Sequence, residues 1–162
     1  MAPNYVISLM VLPANAVSIR QILVKEQKQH RPRGSPIKEQ VEKGVLVLIE
    51  PDAGVRDALT LLLQSKGWVV RTAGSCSELE VELVQGEVTA LISESTLPDC
   101  SAQDILEMCS ERGLPVVFTG HDLPLQGAVD LIRQGAMDFL DKPFPQSRLV
   151  DLLERLAKRQ NG

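Results

Sequence analysis

Two short apolar runs late in the chain end in residues able to hold an anion. Val116-Val117-Phe118 delivers Thr119 to the carboxyl end of one strand, and Met137 to Leu140 brings Lys142 to the end of another. If those strands are parallel neighbours, the hydroxyl and the ammonium share one rim, and in open α/β sheets the ligand crevice lies outside the carboxyl ends of the strands. A paired hydroxyl and ammonium suit a phosphoryl group or a carboxylate. Pro143, directly after the lysine, disfavours helical backbone angles at Lys142 and so helps to hold it at the rim.

Placing those groups requires alternating strands and helices, and the chain supplies them from Val45 onward. Val45 to Ile49 is a continuous aliphatic run, as expected of a strand covered on both faces. Val55, Leu59, Leu62 and Leu63 make a helical stripe that Gly67 closes, and Trp68 to Thr72 is a second strand. Leu79 and Leu83 mark a weaker helix ending near Gly86, Val88 to Ser93 a third strand, Ile105 with Met108 and Cys109 a third helix, and Pro115 to Thr119 a fourth strand. Leu125, Ala128, Val129 and Ile132 keep the i, i+3, i+4, i+7 rule and give the clearest helix on periodicity alone. The strand ending at Leu140 follows, and Leu149, Leu152, Leu153 and Leu156 form the last helix. Five strands alternating with five helices predict an α/β, doubly wound parallel sheet with right-handed crossovers.

Length and composition bound the rest. At 162 residues the chain holds one well-buried core with an appendage and leaves no room for a second catalytic domain. Hydrophobic residues at 44% and charged residues at 23% exclude a disordered chain. Only Tyr5, Trp68, Phe118, Phe139 and Phe144 are aromatic, too few for the stacking platforms of single-stranded nucleic-acid binders. Cys76, Cys100 and Cys109 lack zinc-ligand spacing and read as reduced cytosolic thiols.

Charge divides the chain: Met1 to Gly44 holds seven Lys or Arg and three Glu, whereas Val45 to Gly162 holds ten basic and eighteen acidic residues. Residues 1–24 read as a short strand and helix, with Asn15 a candidate cap and Ala16, Ile19, Ile22 and Leu23 its apolar side. Residues 25–44, with Arg31-Pro32-Arg33-Gly34-Ser35-Pro36, read as a basic polar linker, and 45–160 as the domain. The basic residues alternate with glutamates and no DNA-reading motif is visible, so direct nucleic-acid binding is not expected. The apolar run Val6 to Leu12 lacks a basic leader and is too short to span a bilayer. A cytoplasmic protein without a membrane partner is expected.

Thr119-Gly120-His121, Gly135-Ala136-Met137-Asp138-Phe139 and Asp141-Lys142-Pro143-Phe144 resemble the receiver domain of bacterial two-component response regulators over about 115 residues. The resemblance implies a flavodoxin-like strand order, 2-1-3-4-5. It also implies Mg²⁺ held by an acidic pair after the first strand and phosphate accepted on an Asp after the third. The chain departs from the pattern at both places. After the first strand it reads Glu50-Pro51-Asp52, an acidic pocket of Glu50 and Asp52 in which Pro51 falls at the ligand position and offers no side-chain oxygen. After the third strand the acceptor position carries Glu94, one methylene too long for in-line transfer.

The expected site is therefore a degenerate one. Glu94 stands where phosphate would form, with Thr119, Phe139 and Lys142 as the switch set that resemblance assigns. Lys142 can pair with Glu94, and a partly solvated pair of that kind biases a two-state domain by about 1 kcal/mol. Neither a catalytic residue nor a cofactor is expected, and Mg²⁺ enters only if the chain is an atypical but still phosphorylatable receiver in a phosphorelay. A nucleotide or second-messenger binding domain is a further alternative, weakened because Glu50-Pro51-Asp52-Ala53-Gly54 holds a single glycine.

The primary expectation is a phosphorylation-independent protein-interaction and regulatory module in bacterial signal transduction, not an enzyme. In the resembling family the face of helix four, strand five and helix five meets partners, and here it presents Asp130, Arg133, Gln134, Asp138, Arg155 and Arg159. Partners would be a sensor kinase, another receiver or an output protein, with a homodimer through that face. The chain ends soon after Leu156, so output is expected in trans or on a longer chain.

Overall fold

The computed structural model describes residues 42–160 and Gly162. The assignments made for residues 1–24 and for most of 25–44 fall outside the described residues. Within them, five strands, β1 (Val45–Ile49), β2 (Val69–Ala73), β3 (Ala90–Glu94), β4 (Val116–Gly120) and β5 (Asp138–Asp141), form one parallel sheet in the order β2-β1-β3-β4-β5. Helices α1 (Ala53–Ser65), α2 (Cys76–Val84), α3 (Ala102–Glu111), α4 (Leu125–Arg133) and α5 (Gln146–Gln160) connect and cover it. The fold is the flavodoxin-like arrangement expected from the sequence.

Alternation along each strand builds two cores. Val47, Ile49, Leu91, Val116, Phe118 and Phe139 point to the side covered by α2, α3 and α4, where they meet Leu79, Ile105 and Leu106. Their neighbours Leu46, Leu48, Ile92, Val117 and Leu140 point to the other side and meet Leu63 of α1 and Leu149, Leu152, Leu153 and Leu156 of α5. A period-2 side-chain pattern buried on both faces explains why the strands read as unbroken apolar runs.

Helix starts follow local chemistry. Asp52 caps α1 by accepting from the Val55 N–H at 2.9 Å. Ser101 and Asp104 form a reciprocal capping box at α3, and each such cap is worth about 1 kcal/mol. Gly67 closes α1 at φ 89, a left-handed angle that favours glycine.

The bounds of four strands and one helix face differ from expectation. β2, β4 and β5 each run one residue further than the apolar pattern suggests, because ladder pairing continues through Ile49 with Ala73 and Gly120 with Asp141. β3 starts at Ala90 rather than Val88, and Thr89 instead receives the Val45 N–H on its hydroxyl at 3.0 Å. In α4 the stripe with the clearest periodicity meets the core only in part. Leu125 is 82% exposed and Ile132 46%, while Ala128 and Leu131 supply the contact with the core. α4 also lacks a side-chain cap and any fully buried residue, which makes it the least anchored helix among those described.

Phe118, on β4 beside the central β3, has no solvent exposure. Phe118→Ala is expected to destabilise the full-length chain by about 4 kcal/mol, read as a lowered midpoint in urea unfolding followed by fluorescence of Trp68.

Candidate functional site

The order of the sheet reverses at β1, since β2 lies on one side of it and β3 on the other. The crevice of a doubly wound fold opens at the carboxyl ends of the strands flanking such a switch point. Glu50 directly follows β1 and Glu94 is the last residue of β3, so two carboxylates emerge at that place. Register brings the rest: Glu94 lies opposite Thr119 on β4, and Gly120 opposite Asp141 on β5. The Lys142 N–H donates to the Gly120 carbonyl at 2.7 Å, which ties the lysine to the rim.

Lys142 closes the cluster. Its ammonium donates to Glu50 Oε2 at 2.5 Å and to Glu94 Oε2 at 2.6 Å. All three side chains are nearly out of solvent, with 9% exposure for Lys142, 5% for Glu50 and 11% for Glu94. The remaining oxygens are also occupied. Glu50 Oε1 accepts the Asp52 N–H at 3.0 Å, and Glu94 Oε1 accepts from the Thr96 N–H and the Ser95 hydroxyl, each at 3.3 Å. Every carboxylate oxygen in the cluster therefore has a donor, as buried charges require.

Most of the residues singled out in the sequence meet here. Glu50, Glu94, Thr119 and Lys142 share the rim, and Thr119 and Glu50 are buried. Phe139 is buried behind them. A Cβ added at Gly120 would lie 3.3 Å from its ring edge and from Glu94 Oε1 and would collide with the Ser95 hydroxyl, so glycine is what lets ring and carboxylate close up. Asp52 is exposed and its carboxylate is turned to the start of α1, away from the cluster. Pro51 is exposed beside it. The Arg56 guanidinium fixes the turn by donating to the Glu50 carbonyl at 2.6 Å.

Two roles were not anticipated. Glu50 as the second partner of Lys142 was missed, because the pairing joins positions far apart in sequence and only the strand order brings them together. Asp99 was also missed: from the loop between β3 and α3 it receives the N–H groups of Cys76 at 2.9 Å and Ser77 at 3.1 Å, capping α2. Those hydrogen bonds, the one from Cys76 foremost, hold its carboxyl below the usual range.

The match to known proteins agrees with this geometry. Residues 46–154 match the model of the response regulator receiver domain. The chain belongs to the response regulator receiver family. It is 32% identical over 121 residues to the transcriptional regulatory protein FixJ of Bradyrhizobium diazoefficiens, covering 72% of this chain and 58% of that protein. It is 34% identical over 114 residues to the C4-dicarboxylate transport transcriptional regulatory protein DctD of Pseudomonas aeruginosa, covering 68% of this chain and 24% of the relative. The chain thus spans little more than half, or less, of these relatives. Among solved structures, full-length FixJ from B. japonicum superposes with a TM-score of 0.66 at 29% identity, over 74% of this chain and 60% of that one. The receiver is thus a domain of two-component signalling, and no described helix is long and apolar enough to cross a membrane.

The ion cluster sets a pH dependence. Burial lowers the proton affinity of Lys142, but its hydrogen bonds to Glu50 and Glu94 outweigh burial and hold the ammonium above its ordinary value of 10.5. A group whose pKa is raised on folding stabilises fully below its unfolded value, and that contribution is lost as pH rises through the folded one. Lys142→Met leaves two buried carboxylates facing each other and is expected to cost about 3 kcal/mol at neutral pH. Urea unfolding of both proteins across pH checks this: the difference should persist through neutrality and shrink only above the unfolded lysine value.

Proposed function

We propose that this receiver has left phosphotransfer and works as a phosphorylation-independent protein-interaction and regulatory module in bacterial signal transduction, in the cytoplasm and without Mg²⁺. The observation that carries this reading is that both oxygens of Glu94 already have donors, Lys142 on one and Thr96 with Ser95 on the other. An acceptor carboxylate must present a free oxygen in line with the incoming phosphoryl group, and positioning supplies nearly all the catalysis in such transfers. Glu94 presents none, since Lys142 holds one oxygen and Thr96 with Ser95 the other.

The donor set does not fit a hard cation either. Mg²⁺ takes oxygen ligands in near-octahedral geometry. Pro51 has no side-chain oxygen, Asp52 serves α1, and Glu50 and Glu94 share one ammonium that a dication would have to displace. With Lys142 held and Phe139 buried, the domain stays in one arrangement independent of a kinase.

Function then rests on a surface. On α4, β5 and α5, Arg133, Gln134 and Arg159 are exposed, beside the apolar Leu125 and Ile132. Asp138 is engaged by Arg155, and Asp130 by Gln126 at 2.8 Å, so these charges are oriented rather than loose. A mixed apolar and charged face of this kind suits a sensor kinase, an output protein or a second receiver. The relatives named as transcriptional regulators point to gene control as the output.

Full-length protein incubated with acetyl phosphate and Mg²⁺, beside a phosphorylatable receiver as control, tests the reading by intact mass. No added phosphate is expected on this chain. A stoichiometric gain of one phosphate would overturn the proposal and establish an atypical acceptor.

A further inference from the structure

A second cluster lies on the α2 and α3 side of the sheet and takes no part in the rim. Cys76 opens α2 and is buried, while Cys100 is half-buried in the loop between β3 and α3. Both pack in the same apolar core and line one open cleft of about 470 Å³. Asp99 brings them together. Its carboxylate grips the N–H groups of Cys76 and Ser77 and the Ser77 hydroxyl, the last at 3.2 Å. Because Cys100 is the next residue, the anchor that caps α2 also holds the loop of the second thiol beside the helix start that carries the first. Cys109, on α3, is buried.

We propose that Cys76 and Cys100 are a modification site, a dithiol that closes to an intramolecular disulfide when it meets a small neutral oxidant such as hydrogen peroxide. The half-exposed Cys100 reacts first, as thiolate: its sulfur attacks one peroxide oxygen, the O–O bond breaks, and the hydroxide released takes up a proton to leave as water. Cys76 sulfur then attacks the resulting sulfenic sulfur, the S–O bond breaks, and a second water departs with the Cys76 proton. The protein loses two protons and two electrons, and the peroxide becomes two waters.

The cleft selects the oxidant. Glu80, Asp99, Asp104, Glu107 and Glu111 line it together with the thiols. Burial first pushes both thiols up, that of Cys100 to about 12 with the Cys76 thiol and then Asp99 and Asp104 adding to it, while Asp99, Glu80 and Asp104 add to the rise at Cys76, so thiolate is scarce at neutral pH and anionic reagents are repelled. The pair therefore reacts slowly, faster as pH rises, and discriminates against oxidised glutathione. Once closed, the bond ties the start of α2 covalently to the loop that follows β3, where Asp99 holds it by hydrogen bonds.

The test is oxidation of the full-length chain with hydrogen peroxide, followed by intact mass and peptide mapping without reductant. Expected are loss of two hydrogens, reversal by dithiothreitol, and one cross-link joining the Cys76 and Cys100 peptides. Cys109→Ser should retain that cross-link, and Cys100→Ser, at a half-exposed loop position, should abolish it with an unchanged circular dichroism spectrum. Neutral hydroxyethyl disulfide should close the pair several-fold faster than glutathione disulfide at equal concentration. Alkylatable Cys76 and Cys100 after oxidation, a cross-link to Cys109 or to a second chain, or sulfinic acid without a cross-link would overturn the assignment. Equal rates with the two disulfides would overturn the charge selectivity.

Discussion

An ammonium clasped between two buried carboxylates is the interaction on which the rim depends. Glu50 and Glu94 leave adjacent parallel strands at the same end of the sheet and, without Lys142, would place two negative charges side by side with little water to screen them. Charge pairs of this kind gain little over an apolar pair yet cost several kcal/mol when one member is lost. Their value lies in specifying an arrangement. Here that arrangement draws the segment after β5 against β1 and β3, with the Lys142 N–H on Gly120 as its backbone counterpart, and leaves Phe139 packed behind Glu94.

The apolar patterns made the layering legible, because strands buried on both faces and helices with one apolar stripe leave different periods in sequence. They were weaker where packing is one-sided or local. Leu125 and Ile132 obey helical spacing yet face outward, since periodicity reports that a stripe exists and not which stripe meets the core. Strand ends shifted by a residue or two because ladder bonds, which no side chain announces, decide where pairing stops.

The rim was legible in part. Thr119, Glu94 and Lys142 could be placed from the ends of their strands. The second carboxylate on Lys142 could not, because the pairing of Glu50 with Lys142 is a product of strand order and of a side chain turning inward after β1. Asp52 illustrates the converse, an acidic residue at a suggestive position whose carboxylate goes to the nearest orphan donor, the Val55 N–H. Asp99 behaves in the same way toward α2, so an acidic residue in each of the loops after β1 and β3 is occupied by a helix start.

On the proposed function, this receiver exchanges a transient charge for a permanent one, through the longer acidic side chain of Glu94 and the proline at position 51. A crystal structure of the full-length chain grown with beryllofluoride and magnesium measures this most directly. The account predicts unmodified Glu94, with Lys142 Nζ still between Glu50 and Glu94 and no divalent ion at the rim. A beryllofluoride adduct on Glu94 beside a hydrated magnesium ion, with Lys142 drawn onto the adduct, would contradict it.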